Sequence, residues 1–315
     1  MAKGLQIDPA EHPVRSATID LAAIRHNTEV LRAAAPAAEL CAVVKANGYG
    51  LDATRIAKRL AKEGAQSFFV ALPEEGAIVR KAVGDAPDIY VFAGHMDGDR
   101  DVLASSNLIP LLNSPEQVAR HFSESPGHSF GVQLDTGMNR LGMEMSEWAA
   151  VAELALAQNP TLVMSHLACA DEPDHPMNAY QLAQFKKMTD GISVPRSLAA
   201  TGGILLGPAY HFDLTRPGIG LYGGLPFADA QPVIELDLPV IQIREVAEGE
   251  VVGYGNAWQA ERPSRIATVS GGYADGIIRM LSDRATLFAG DVAALGNALK
   301  DFLQTLKSFI ITKVD

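Results

Sequence analysis

The sequence is short of cysteine, with Cys41 and Cys169 the only two in 315 residues. Two thiols build no disulfide framework and their spacing suits no metal site, which fits a reducing cytoplasm. No uninterrupted apolar run reaches the roughly 18 residues that a membrane helix needs, and the opening MAKGLQIDPAEHP lacks the apolar stretch of a signal peptide. Positive charge is scarce too: 26 Lys and Arg against 37 Asp and Glu leave a net charge of −11. Such a surface repels a phosphate backbone, which argues against nucleic acid as a partner. An anionic ligand must then be held by a few local cations and backbone amides. Internal repeats and low-complexity tracts are missing as well. The expectation is a soluble cytosolic protein without membrane contact.

What is present is a core-forming composition, 48% hydrophobic, at a length that suits a large α/β domain plus a smaller one. From about residue 20 to 225, short apolar runs alternate with segments of helical spacing. Asp52 can cap a helix that buries Ile56, Ala57, Leu60 and Ala61 and stops at Gly64. Ser114-Pro115-Glu116-Gln117 offers an N-cap, a first-turn proline and a capping-box glutamine. Ser146 is expected to open a further helix, with Val151, Leu154 and Ala155 apolar, that ends at Asn159-Pro160. The apolar runs predict buried strands at 40–44, 68–72, 89–92, 109–112, 130–134, 162–167, 197–200 and 219–222. Eight strands alternating with helices match a (β/α)8 TIM-type barrel of about 250 residues. The rival, an open doubly wound sheet, lacks a G-x-G-x-x-G after its first strand. After Gly224 the pattern changes to alternating Val and Ile with glycine turns, a β-domain signature. The expected division is a barrel over 17–230, a linker LPFADAQP, and a β-rich domain over 231–315. The stretch from Leu295 to Ile310 reads as helical, with Leu299, Phe302, Leu303 and Leu306 on the same face.

Barrel active sites lie at the C-terminal ends of the strands. That rule singles out Lys45, directly after an apolar run, where desolvation lowers an amine's pKa toward a reactive free base. The same position equally suits a lysine that only snorkels to solvent. Asp135-Thr-Gly-Met-Asn-Arg140 ends a second strand with a guanidinium able to clamp a carboxylate, or merely to form an ion pair. His166 ends a third, where a structural hydrogen bond is the plainer reading. Thr201-Gly-Gly and Arg216-Pro-Gly218-Ile219 place a hydroxyl, a cation and free amides where barrels hold phosphate, near the seventh and eighth strands. The β-rich part adds Tyr254 and Tyr273, each within a glycine turn.

Taken in order, VVKANGYG, LDTGMNRLGM, SHLACADE, FDLTRPGIGLYGG, VVGYGNAW and GGYADG resemble the alanine racemase family. The resemblance runs from about Ala17 to Ala289. It implies pyridoxal 5′-phosphate held as an imine on Lys45, interconversion of L- and D-alanine, and a homodimer. It also implies D-alanine supply for peptidoglycan. Matched motif by motif, Tyr49, Thr201, Gly218 and Ile219 hold the phosphate, with Thr201 where the family usually has serine. Arg216 faces the pyridine nitrogen with His166 in support, and Arg140 binds the substrate region. Tyr254 enters the partner's site as the second acid/base group opposite Lys45, and Tyr273 lines the entrance.

Two departures stand out. Gln133 occupies a position where the family commonly has a lysine, often carbamylated, so the tuning of Arg140 rests on a neutral amide. From about residue 290 the sequence no longer follows the family's C-terminal motifs, so the β-domain is expected to be truncated and incomplete, with exposed strand edges. The alternatives are a broad-specificity amino-acid racemase and a catalytically impaired cofactor-binding protein. A barrel decarboxylase is disfavoured, because it wants an acidic partner where Arg216 stands.

Overall fold

A computed structural model describes residues 15–256, 258–272, 275–277, 286–289, 292–295 and 309–312. Its strands are short and sheathed in helices. In chain order they are β1 (Ser16–Ile19), β2 (Glu39–Leu40), β3 (Ala42–Val43), β4 (Ser67–Val70), β5 (Asp88–Val91), β6 (Ile109–Leu112), β7 (Gly131–Gln133), β8 (Val163–Met164), β9 (Arg196–Ser197) and β10 (Leu214–Thr215). Strands β3 to β9 form one parallel sheet in sequence order. Every residue of β4 and of β6 is buried, as parallel strands covered on both faces require.

The sheet curls until its ends meet. β10 pairs in parallel with β2, in register Leu214 to Glu39 and Thr215 to Leu40. Along this seam Glu39, Cys41 and Val43 donate their N–H groups to Asp213, Thr215 and Pro217 carbonyls at 2.8, 2.8 and 3.1 Å. On the other side of β10, Ala200 bridges Arg216 in parallel. The eighth strand is therefore Leu214–Thr215, and not the run Ile219–Tyr222, which forms a 3₁₀ turn. The reason is local: Pro217 has no N–H to extend the pairing, and the run is interrupted by Gly220 and closed by Gly223 in the left-handed region. Leu221 and Tyr222 of this run are spent on the core, while Ile219 is exposed.

The helices are α1 (Leu21–Ala34), α2 (Lys45–Tyr49), α3 (Ala53–Lys62), α4 (Pro73–Val83), α5 (Arg100–Ser105), α6 (Pro115–Glu124), α7 (Met145–Ala157), α8 (Pro176–Thr189) and α9 (Thr201–Leu205). Asp52 caps α3 by accepting from Thr54 and Arg55 N–H at 3.1 and 3.2 Å. Ser114 caps α6 through Gln117 N–H at 3.3 Å, with Pro115 at its first position. Helix α7 begins before Ser146, because Glu144 and Glu147 form a capping box. Within it Trp148 and Ala155 are buried, while Leu154 is 55% exposed. Six residues on from Trp148 is about 240° around the helix, away from the core.

The residues group into two compact units, Ile19–Ile234 and a second made of the described residues up to Thr18 with those from Glu235. In the second unit β1 pairs with β11 (Ile234–Asp237). β12 (Val240–Val246) pairs with β15 (Ser264–Val269), and a hairpin joins β13 (Val251–Val252) to β14 (Trp258–Gln259). β16 (Thr286–Ala289) and β17 (Val292–Leu295) form another hairpin. β18 (Phe309–Thr312) pairs antiparallel with β15, Ile310 opposite Thr268. The expected helix over this stretch is thus corrected at both ends: Leu295 closes β17 and Ile310 stands in β18. β-Branched Ile310, Ile311 and Thr312 suit a strand, and they cover an edge of β15 that would otherwise be open. Leu299, Phe302, Leu303 and Leu306 lie outside the described residues. Among the described residues no helix is long and apolar enough to cross a membrane.

Candidate active site

Lys45 leaves the end of β3 at the first position of α2, and the chain then turns sharply. Ala46, Asn47 and Tyr49 have φ of 52, 53 and 55°, a conformation that costs a side-chain-bearing residue about 1 kcal/mol or more. Hydrogen bonds over-determine the turn. Asn47 Oδ1 accepts from Ala53 N–H at 3.0 Å, and Glu75 Oε1 accepts from Ala46 N–H at 2.7 Å. The half-buried Lys45 amine, just before this turn, lies 5.7 Å from the Phe92 ring centre. Burial, reinforced by the Arg140 charge, lowers the amine's pKa, and Glu75 opposes the shift only in part.

Two cavities of about 280 and 220 Å³ share Lys45, Phe92 and His166. The first is completed by Gln133, Arg140, Leu141, Met164, Ala71 and Ala93. Arg140 follows a turn that Asp135 builds by accepting from Gly137 and Met138 N–H at 2.7 and 2.9 Å. Gln133 is buried and donates to Leu141 O at 3.4 Å, while its Oε1 has no hydrogen-bond partner among the described residues.

The second cavity is lined by Tyr49, Thr201, Gly202, Arg216, Gly218 and Ile219, with Asp171 and Pro226 among its other walls. Thr201 Oγ1 accepts from Gly218 and Gly220 N–H at 3.2 and 3.1 Å, which fixes the glycine turn against α9. A β-carbon on Gly218 would collide with Tyr49 Oη, and one on Gly220 would meet Thr201 Cγ2. The Tyr49 ring packs 4.7 Å from Tyr222, whose hydroxyl donates to Val43 O at 3.0 Å.

Among the described residues Arg216 is the largest fully buried side chain. Its guanidinium donates to Ser197 Oγ, to Ser165 O at 2.6 Å and to Leu198 O at 3.5 Å. Burial without a carboxylate partner pulls its pKa down to about 10, so it still carries its charge at neutral pH. The His166 ring is pushed down to about 3 by burial and by Arg216, Arg140 and Lys45, which makes it a neutral imidazole.

Lys45, Tyr49, Arg140, His166, Thr201, Arg216, Gly218 and Ile219 are thus brought to one mouth, at the C-terminal ends of the barrel strands. Tyr254 belongs to the other compact unit, in a 3₁₀ turn between β13 and β14, and Tyr273 lies outside the described residues. Sequence reasoning passes over Phe92, Met164, Glu75, Ser165, Ser197 and Gln181. The strand-end rule could have found Phe92. The polar residues carry no signal beyond ordinary helix and strand composition.

Fold and site together define a (β/α)8-barrel enzyme whose centre combines one softened amine, two guanidinium groups and a tightly packed glycine turn. Residues 19–226 match the alanine racemase N-terminal domain and residues 233–298 the alanine racemase C-terminal domain. The chain belongs to the alanine racemase family. It is 63% identical over 277 residues to the alanine racemase of Dinoroseobacter shibae, covering 88% of this chain and 79% of that one. To the alanine racemase of a Ruegeria species it is 64% identical over 241 residues, 76% and 70% of the two chains. Among solved structures, that of alanine racemase from Bartonella henselae with covalently bound pyridoxal phosphate superposes with a TM-score of 0.86 at 32% identity, covering 96% and 87%. The biosynthetic alanine racemase of Pseudomonas aeruginosa gives 0.85 at 35%, covering 95% and 85%. The chain is accordingly an isomerase acting on alanine, and the relatives favour that reading over a broad-specificity racemase. The C-terminal domain match runs past Ala289, where the recognisable motifs stop.

Proposed function

We propose that the barrel, over about 17–230, holds pyridoxal 5′-phosphate on Lys45, and that Lys45 and Tyr254 racemise alanine from opposite faces. The observation that carries this reading is the meeting, in one cavity of about 220 Å³, of a softened amine, a fully buried guanidinium and a tightly packed glycine turn. The residues fit the group: Lys45, Arg216 and the Tyr49 and Thr201 hydroxyl-bearing side chains line the same cavity, and Gly218 and Gly220 let the turn close tightly against Tyr49 and Thr201. The covalently bound cofactor in the Bartonella enzyme supports it as well.

When bound, the cofactor supplies a conjugated electron sink for the pair left on the substrate Cα. Thr201, Gly218, Ile219 and Tyr49 hold its phosphate. Arg216 faces the pyridine nitrogen and, being only a donor and still protonated at neutral pH, gives that nitrogen no proton. His166, neutral, supports the ring end without adding charge. Arg140 binds the substrate carboxylate. Lys45 takes or returns the Cα proton on one face, as its lowered pKa favours. Tyr254, delivered by the second domain of a partner in a homodimer, serves the other face. A phenol ordinarily titrates near 10, so cations near it must draw its pKa down. Tyr273 lines the entrance. The setting is the cytoplasm and the product D-alanine for peptidoglycan.

Incubation with L-alanine in deuterated water, following Cα exchange and D-alanine together, tests the whole scheme. Borohydride in the presence of the cofactor is expected to label Lys45. Tyr254→Phe is expected to keep that label and lose inversion. An unlabelled Lys45 overturns the reading. Label and exchange without inversion would indicate the catalytically impaired form.

A further inference from the structure

Gln181 lies on α8, outside both cavities, and is fully buried. All its hydrogen bonds go to the segments that carry the site. Its Nε2 donates to His166 O at 2.9 Å and to Thr136 Oγ1 at 3.2 Å, and its Oε1 accepts from Ala168 N–H at 2.8 Å. In an extended chain the C=O of one residue and the N–H two residues on point to the same side. A neighbouring parallel strand takes both with a single residue. Here one primary amide takes both, beyond the point where β8 ends at Met164. The carboxamide therefore stands in for a strand partner around Leu167 and fixes the direction in which the chain carries His166.

The second N–H extends the connection. Thr136, in the turn that leads to Arg140, has its Oγ1 2.9 Å from Ser165 Oγ. Ser165 in turn receives the Arg216 guanidinium on its carbonyl oxygen at 2.6 Å. Gln181, Thr136, Ser165 and Arg216 are 0, 3, 1 and 1% exposed, so water does not compete for these groups. A buried network in which each member is satisfied makes its parts mutually rigid.

We propose that Gln181 is a positioning residue for racemisation, one that couples the turn carrying Arg140 to the seat of Arg216 and sets the exit of His166. The proposal rests on the reading above, in which Arg140 meets the substrate and Arg216 the cofactor ring. A residue that only fills the core would affect stability alone. Gln181 sets geometry at the reacting centre, where small displacements cost roughly tenfold to hundredfold in rate.

Two variants test it in the intact protein loaded with pyridoxal 5′-phosphate. Gln181→Met keeps length and removes every hydrogen bond. It is expected to retain the borohydride label on Lys45, to lose visible circular dichroism from the bound cofactor, and to drop kcat by roughly tenfold or more. Gln181→Glu keeps the acceptor for Ala168 and regains one donor only when protonated. Its kcat, relative to wild type at each pH, is expected to rise as pH falls. If Gln181→Met does not fold, the Gln181→Glu profile decides. A Gln181→Glu profile parallel to wild type overturns the proposal, as does a Gln181→Met that loses thermal stability while kcat and dichroism stay unchanged. An unlabelled Lys45 in the wild-type protein instead overturns the cofactor reading beneath it.

Discussion

Arg216 shows how a single side chain decides what the site can do. It is sealed among oxygens of Ser165, Ser197 and Leu198, with no carboxylate in the cluster. A glutamate placed there would face carbonyl oxygens in a buried setting, so it would keep its proton and could hand it to a ring nitrogen. Arg216→Glu is therefore expected to let long-wavelength absorbance build up on alanine addition, with keto acid as a side product. Absorbance spectra and keto-acid assays check this, and an unchanged spectrum would count against the assigned role. At Gly218 the constraint is space. Gly218→Ala would push Tyr49 Oη out of place and is expected to weaken cofactor binding by about tenfold or more, measured by equilibrium titration of the imine band. Lys45 and Arg216 were legible in the sequence through the family motifs around them, since the strand-end position alone suits a snorkelling lysine equally well. Phe92 and Gln181 were not. An aromatic ending an apolar strand looks like core, and a helical glutamine looks like surface until the fold buries it.

At the scale of elements, capping chemistry places α3 and α6 but not α7, whose cap is Glu144 rather than Ser146. Asp52 and Ser114 start α3 and α6 through side-chain acceptors that only a helix N-terminus needs. The eighth strand was misplaced because apolar content alone does not separate a strand from a 3₁₀ turn, and Pro217 was the overlooked signal. At the two ends of the C-terminal stretch apolar spacing fits a helix, but Leu295 closes a hairpin and Ile310 pairs with β15 instead.

Helix α6 also carries an acid-sensitive joint. His121 Nδ1 stands 3.0 Å from Nδ1 of buried His95, so one ring must donate and the other accept, and both cannot be protonated. Facing them are Glu124, Asp99, Arg120 and His128. Burial lowers His95 and brings His121 to about 4. The unfolded chain then binds more protons below about 6.5, so stability is lost as pH falls from there toward 4. The thermal midpoint is expected to drop across that window, and His121→Phe is expected to flatten the drop while lowering the midpoint at neutral pH.

At the scale of the molecule, the residues assigned to the cofactor lie on either side of the seam between the first and eighth barrel strands. Lys45 follows β3, while Gly218 and Ile219 follow β10. A ligand present at a hundred times its dissociation constant stabilises the folded state by about 2.7 kcal/mol. Loading with pyridoxal 5′-phosphate is therefore expected to raise the thermal midpoint and to slow protease cleavage around residues 214–224. Unchanged cleavage there would argue against a phosphate held by the glycine turn. On the proposed reading, the coenzyme would act as a buckle across the seam where the two ends of the barrel wall meet. A cell short of the vitamin would hold copies that fray first at this stitch, and upkeep of the protein would track supply of the nutrient as closely as catalysis does.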